Sequence, residues 1–228
     1  MPHVYADGRE IELTVGKTVF DYADSLKLRV PTSCGRTGEC HECIIEIKQG
    51  HSSLSKPSAS ESFLGDNYRL ACQAHVSDSD SEVEFATLRR QPRILTKRAP
   101  RTVQLAPRAT TKNDKVYIDD APVANYTGAI LGLAGDIGTT TVGLNLVDLE
   151  SGSILHTSSF ENPQRFGGSD VMNRISYDSG VFRGELQQTM LSAINFEIGN
   201  MVKLLGFHRR QIFDAVFVGN TTMRDILF

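Results

Sequence analysis

Four cysteines account for all the cysteine in this 228-residue chain. Cys34, Cys40 and Cys43 are separated by five and two residues, and Cys72 follows further along the chain. A 2Fe-2S cluster needs four thiolates that converge from one tight loop and one more distant segment. The sequence therefore predicts that Cys34, Cys40, Cys43 and Cys72 hold one 2Fe-2S cluster, a carrier of single electrons.

Two glycines inside this loop support the same interpretation. Gly35 and Gly38 lack a Cβ atom, so the backbone can turn with positive φ and direct N–H groups at cluster sulfurs. Plant-type ferredoxins have four residues in the first gap, whereas this chain has five. The longer gap resembles the vertebrate-type, adrenodoxin-like ferredoxins and the ferredoxin modules of some larger redox enzymes.

Other uses of the cysteines are less compatible with their spacing. A zinc site favours two close pairs, and only Cys40 and Cys43 form such a pair. Disulfides are not expected, because there is no signal peptide or membrane-length apolar run and the chain is predicted to be cytoplasmic. His41 lies between two cysteines, and we expect it to be a solvent-facing neighbour and not a ligand.

The segments around the loop follow the order of a β-grasp fold. A strand pair is expected around Asp7-Gly8, and a helix over Val19–Leu28 begins after Thr18. Strands are expected at Ile44–Lys48 and Glu82–Phe85, and the segment Tyr68–Gln73 carries the fourth cysteine. This order resembles the 2Fe-2S ferredoxins over residues 1–88.

A basic stretch follows this domain. Residues 89–112 carry eight Lys or Arg side chains and no Asp or Glu, with prolines at 92, 100 and 107. Too few apolar residues are present to build a core, so we expect a linker over residues 89–126. Because aromatic residues do not interleave the basic run, it predicts neither a nucleic-acid nor a membrane partner.

A second motif begins after the apolar run Ile130–Ala134. The run enters a turn and leaves through Val142–Val147, which indicates two strands around a tight turn. Glycine allows close backbone approach to phosphate, threonines supply N–H and O–H donors, and a carboxylate orders Mg²⁺. The candidate phosphate-side residues are Asp136, Gly138, Thr139, Thr140 and Thr141. An ordinary β-turn is the alternative.

This turn resembles the phosphate hairpin of the superfamily of acetate and sugar kinases, heat-shock chaperones and actin. Two further strings follow it, Asn162–Ile175 and Gly219–Met223. Together with the ferredoxin-like part, the set resembles the ATP-dependent reductive activators of corrinoid proteins. By that resemblance Asp170 would belong to the metal-water shell and Asn220 to the nucleotide cleft. Capping of the helices that follow is an equal alternative for both residues.

The predicted fold class is α+β. We expect a β-grasp 2Fe-2S ferredoxin domain at 1–88, the linker at 89–126, and a partial RNase H-like α/β lobe at 127–228. Phe228 falls a few residues into the helix expected after the strand Asp214–Val218. This chain alone is therefore expected to lack a complete ATP site, and no catalytic residue is predicted.

The family resemblance implies the cofactors and partners. These are a 2Fe-2S cluster, Mg-ATP, a corrinoid protein reduced from Co(II) to Co(I), and an upstream electron donor; a dimer is left open. Two other classes of function remain. One is a plain ferredoxin-type carrier or reductase component with a docking domain, and the other is a kinase-like phosphotransferase with a regulatory cluster.

Overall fold

The computed structural model describes residues 2–65, 67–88 and 105–228, and the chain forms two compact units. The first unit comprises residues 1–90, 163–193 and 227, and the second comprises residues 91–162, 194–226 and 228. Residues 163–193, which the sequence assigns to the second domain, thus group with the amino-terminal domain.

A five-stranded mixed sheet and one helix form the amino-terminal part of the first unit. Its elements are β1 (His3–Ala6), β2 (Arg9–Glu12), α1 (Val19–Ser25), β3 (Ile44–Gln49), β4 (Tyr68–Leu70) and β5 (Val83–Thr87). The strand order is β2-β1-β5-β3-β4, and only β1 and β5 are parallel. Val4, Phe20, Ile45 and Phe85 are buried in its core. This is the β-grasp arrangement that the sequence predicts.

Local chemistry explains the first turn and the first helix. Asp7 and Gly8 both have positive φ, 49° and 74°, as the two central residues of a type I′ hairpin turn do. Thr18 Oγ1 accepts a hydrogen bond from Asp21 N, and the Asp21 carboxylate accepts one from Thr18 N, which together make a capping box. The helix ends before the predicted Leu28, because Lys27 turns left-handed with φ 56°.

The predicted linker over residues 89–126 needs correction in its second half. Residues 109–125 form an antiparallel sheet of three strands, β6 (Ala109–Lys112), β7 (Lys115–Ile118) and β8 (Ala121–Asn125). Its two turns are Asn113-Asp114 and Asp119-Asp120, and all four residues have positive φ. Asn and Asp tolerate this conformation, so hairpin turns form here without glycine. Residues 89–104 of the predicted linker lie outside the described residues.

The second unit contains a four-stranded sheet. Its strands are β9 (Leu131–Ile137), β10 (Thr141–Asp148), β11 (Ile154–Glu161) and β12 (Ile212–Gly219), in the order β11-β10-β9-β12. Only β9 and β12 are parallel. Alternate residues of β10 (Val142, Leu144 and Leu146) are fully buried, as period-two alternation requires. The sheet contains the two strands around a tight turn and the strand near Asp214–Val218 that the sequence predicts.

Further helices lie in the carboxyl-terminal part of the chain. They are α2 (Val171–Asp178), α3 (Glu185–Leu205) and α4 (Thr221–Leu227). Helix α2 belongs to the first unit, and the boundary between the units falls between Ala193 and Ile194 of α3. No helix within the described ranges has the length and apolar character needed to cross a membrane.

Candidate functional site

The pairing of two strands brings two of the cysteines together. Cys43 immediately precedes β3, and Cys72 follows β4 by two residues. Ile44 pairs with Leu70, and Ala71 N donates a hydrogen bond to Cys43 O at 2.9 Å. As a result, the sulfur atoms of Cys43 and Cys72 lie 3.4 Å apart in the interior.

The loop that carries the other two cysteines depends on left-handed backbone. Gly35 and Gly38 have φ 67° and 90°, which confirms the conformational role predicted for them. A Cβ atom on Gly38 would lie 3.0 Å from the Gln73 side chain and from Ser60 Oγ, so a side chain there would be crowded as well as strained. Arg36 and His41 also have positive φ, which the sequence does not predict.

Hydrogen bonds prepare two of the thiols for ionisation. The Thr37 hydroxyl, helped by the Cys40 and Gly38 N–H groups and the Cys40 thiol, lowers the pKa of Cys34 to about 5. The Cys43 thiol donates to Cys72 and lowers the pKa of Cys72 to about 6. The pKa of Cys43 is raised, because its proton is held by Cys72 and burial disfavours a second thiolate. The thiolate is the form of cysteine that binds metal. Cys34, in contact with Cys40, and Cys72, in contact with Cys43, are therefore each ready to act as a ligand at neutral pH.

The arrangement of sulfurs fits a binuclear cluster. Cys43 contacts Cys72, the Cys40 thiol contacts Cys34, and all four thiols are free. Within the described residues, no three His, Cys, Asp or Glu side chains surround a single point as the ligands of one metal ion would. A 2Fe-2S cluster needs two sulfur ligands on each of two irons, so two pairs suit it.

His41 does not face solvent, contrary to the prediction from the sequence. Its ring stacks on Phe63 with centroids 4.2 Å apart, and its Nδ1 lies 3.0 Å from a carboxylate oxygen of Glu185. The His41 side chain is only 23% exposed. The sequence gives no sign of this contact, because Glu185 is 144 positions away.

The candidate phosphate turn connects β9 to β10. Asp136 lies near the end of β9, and Gly138, Thr139 and Thr140 form the turn before Thr141 begins β10. Gly138 N donates to Thr141 O at 3.0 Å. A Cβ atom on Gly138 would lie only 2.5 Å from that oxygen, so the turn requires glycine in this position.

Two asparagines contact the turn. Asn162, the first residue of the string Asn162–Ile175, donates through N to Thr140 O at 2.7 Å and through Nδ2 to Gly138 O at 2.8 Å. Asn220 donates through Nδ2 to Thr139 Oγ1 at 3.2 Å. The contact with Asn220 follows from topology, because β9 and β12 are parallel and their carboxyl ends are adjacent.

The capping alternatives are both present in the structure. Asp170 accepts a hydrogen bond from Asn173 N at 2.9 Å and caps α2, and it belongs to the first unit. Asn220 Oδ1 accepts from Met223 N at 2.9 Å and caps α4. Asn220 therefore combines a capping role with a contact to the turn, whereas Asp170 acts as a helix cap.

Comparisons with known proteins separate the chain into two parts. The family model for the 2Fe-2S iron-sulfur cluster binding domain matches residues 4–77, and the model for the RACo middle region matches residues 131–228. A 2Fe-2S ferredoxin of Escherichia coli K12 is 30% identical over 94 residues, which cover 37% of this chain and 85% of that ferredoxin.

One relative aligns with nearly the whole chain. The corrinoid activation enzyme RamQ of Eubacterium limosum is 23% identical over an alignment of 257 positions, which takes in 94% of this chain and 43% of RamQ. The chain belongs to the 2Fe-2S ferredoxin family through its amino-terminal domain, and it is similar to RamQ over nearly its whole length.

A solved structure described as a reductive activator for corrinoid, iron-sulfur protein is 24% identical, with a TM-score of 0.49. The match covers 99% of this chain and 48% of that structure. This chain therefore spans less than half the length of either activator.

Proposed function

We propose that this chain carries electrons through a 2Fe-2S cluster for the ATP-dependent reductive activation of a corrinoid protein, from Co(II) to Co(I). The observation that carries the proposal is the homology to a corrinoid activation enzyme over 94% of the chain, which takes in both the cysteine loop and the phosphate turn. A plain electron carrier would leave the phosphate turn without a use.

The cysteine loop supplies the redox part of this function. Cys34, Cys40, Cys43 and Cys72 would hold the cluster, and the bound cluster supplies a carrier of one electron. Gln73 Nε2 lies 3.5 Å from Cys72 Sγ and Thr32 Oγ1 lies 4.0 Å from Cys40 Sγ, so both side chains can direct donors at ligand sulfurs. Such donors stabilise negative charge on sulfur and help to set the reduction potential.

The phosphate turn supplies the nucleotide part. We propose that Gly138 and Thr139–Thr141 direct N–H and O–H donors at the phosphates of Mg-ATP, and that Asp136 orders the magnesium ion or its waters. Asn220 holds the Thr139 hydroxyl and lies at the edge of the same turn. Asp170, already engaged as a helix cap, is the weaker candidate for the metal-water shell.

The reduction potentials of donor and acceptor explain why electron transfer to cobalt would need a nucleotide. Plant-type 2Fe-2S clusters have reduction potentials of about −400 mV. For each ~59 mV by which an acceptor lies below the donor, the equilibrium constant for one electron falls tenfold. We propose that Mg-ATP binding favours a conformation in which transfer to a low-potential cobalt centre becomes productive. The implied partners are a corrinoid protein and an upstream electron donor, in the cytoplasm.

An anaerobic assay of the protein tests the proposal. Loss of the Co(II) absorption of a corrinoid protein is followed with the wild type, Cys34→Ala and Asp136→Ala, each with and without Mg-ATP. We expect reduction only by the wild type with nucleotide. If Asp136→Ala reduces the corrinoid as fast as the wild type while Cys34→Ala fails, the chain is a plain ferredoxin-type carrier and the proposal is wrong.

A further inference from the structure

Three consecutive residues of the cysteine loop are bound by one face of helix α3. Gln188 Nε2 donates to Cys40 O at 3.1 Å, Glu185 lies 3.0 Å from His41 Nδ1, and Ser192 Oγ donates to Glu42 Oε1 at 3.1 Å. Positions 185, 188 and 192 recur at i, i+3 and i+7, so they share one face of the helix. All these residues belong to the first unit.

An aromatic contact supports the same segment of the loop. The His41 ring stacks on Phe63, and Phe63 meets Phe166 edge to face with centroids 5.9 Å apart. Tyr177 of helix α2 donates its hydroxyl to Phe63 O at 2.6 Å. Residues from 163–193 thus hold His41 directly through Glu185 and indirectly through Phe63.

The loop segment that helix α3 contacts has an unfavourable backbone conformation at His41. Residues 41 and 42 lie outside regular secondary structure, between the proposed ligands Cys40 and Cys43. His41 has φ 53°, a left-handed conformation that is unfavourable for a residue with a Cβ atom. Side-chain and backbone contacts on three successive residues offset this cost and fix the directions of Cys40 and Cys43.

We propose that Glu185, Gln188 and Ser192 form a positioning clamp on the Cys40–Cys43 ligand segment, through which a helix outside the ferredoxin fold sets the geometry and reduction potential of the cluster. The inference rests on the cluster-holding role proposed above for the cysteines. Glu185 also places a carboxylate beside the loop, and negative charge there disfavours the reduced cluster. The clamp therefore lowers the reduction potential, as an electron donor to a low-potential acceptor requires.

Variants of the cluster-loaded chain test the clamp without corrinoid or nucleotide. Glu185→Gln removes the charge and keeps an acceptor for His41, and Gln188→Ala removes the donor to Cys40 O. Gln187→Ala is the matched control on the same helix, because Gln187 Nε2 contacts Leu227 O and not the loop. Glu84→Gln controls for loss of an exposed carboxylate on β5. The readouts are the midpoint potential, the electron paramagnetic resonance of the reduced cluster and its visible circular dichroism.

We expect Glu185→Gln to raise the ratio of reduced to oxidised cluster, at a fixed solution potential, by about threefold to tenfold. A tenfold change corresponds to a rise of about 59 mV in the midpoint potential. Gln188→Ala should change the resonance and visible dichroism spectra, and both controls should match the wild type. Loss of iron from a variant with wild-type far-ultraviolet dichroism also supports the clamp. If both variants fold, keep the cluster and match the wild type in potential and spectra, the clamp is refuted. Failure of corrinoid reduction alone would count only against the function proposed above.

Discussion

The cysteine loop and the phosphate turn are both tight backbone turns next to the end of a strand. They differ in how much of the binding site each one provides. All four cysteines lie in the first unit, in two contacting pairs whose hydrogen bonds favour one thiolate in each pair. The phosphate turn instead provides donors from one hairpin and from Asn220. A metal cluster can be enclosed by a single small domain, whereas a nucleotide must be contacted along its whole length. We therefore expect the first region to function in this chain and the second to bind weakly.

The largest expected effect tests the first half of this comparison. Cys43→Ala should abolish the cluster, because one of the two sulfur pairs loses a member and no spare cysteine exists. Iron should fall from about two atoms per chain to background. Iron and sulfide analysis with the visible spectrum measures this, and Ser25→Ala on the exposed end of α1 serves as control. A variant that keeps its full iron content would show that Cys43 is not a ligand.

The next effect concerns the buried ion pair that supports the fourth cysteine. Glu61 accepts hydrogen bonds from Arg69 Nε at 2.7 Å and from Leu70 N at 2.9 Å, and both charged side chains are almost fully buried. Glu61→Ala leaves the Arg69 charge uncompensated and should cost about 3–5 kcal/mol of unfolding free energy. At roughly 2–4 °C per kcal/mol, thermal unfolding should begin about 10 °C lower.

Two further variants sharpen the test of the ion pair. Glu84→Ala removes an exposed carboxylate of the same sheet and should change the unfolding free energy by less than about 0.5 kcal/mol. The double variant Glu61→Leu, Arg69→Met should recover much of the loss, because no buried charge is left alone. Equal Tm values for Glu61→Ala and Glu84→Ala would contradict the role of the pair.

A matched pair of glycines tests the phosphate turn. Gly138→Ala places a Cβ atom 2.5 Å from Thr141 O, whereas a Cβ atom on Gly143 of β10 would meet no atom within 4 Å. Gly138→Ala should cost about 1–3 kcal/mol of unfolding free energy and reduce any Mg-ATP affinity about tenfold or more. Gly143→Ala should leave both near wild type. Calorimetry and thermal unfolding measure the two quantities, and equal behaviour of the variants would remove the phosphate-site assignment.

The smallest expected effect is a pH dependence. Burial raises the pKa of Glu61, but hydrogen bonds from Arg69 and from the Ser58 and Leu70 N–H groups outweigh it, so the pKa lies below its ordinary value of 4.5. A depressed carboxyl pKa stabilises the fold above about pH 4.5, and this stability is lost as pH falls through the folded-state pKa. The Tm of the wild type should therefore fall below about pH 4.5 more steeply than that of Glu61→Gln. Parallel profiles would contradict this assignment.

Much of the ferredoxin fold follows from local sequence signals. Asp7-Gly8 and Thr18 predict the first hairpin and the first helix cap, and both are confirmed. The sheet at 109–125 is not predicted, because its turns use Asn113-Asp114 and Asp119-Asp120 without the glycine that marks most hairpin turns.

Contacts between distant positions could not be predicted in this way. Asn162 contacts the phosphate turn from 24 positions away, and Glu185 contacts His41 from 144 positions away. Neither contact follows from a fixed spacing along the chain, because tertiary packing positions both residues. The cysteines could be found because their ligand spacing is itself a local constraint.

The central claim is that the cysteine loop and the phosphate turn act together in one electron transfer. A single-turnover measurement tests it most directly. The cluster of the protein is reduced anaerobically, the protein is mixed with a Co(II) corrinoid protein, and the visible spectrum is followed before and after addition of Mg-ATP. We predict that cluster reoxidation and Co(II) loss occur together, about one for one, and only after the nucleotide is added. Reoxidation at the same rate without nucleotide, or loss of Co(II) while the cluster stays reduced, would contradict the account.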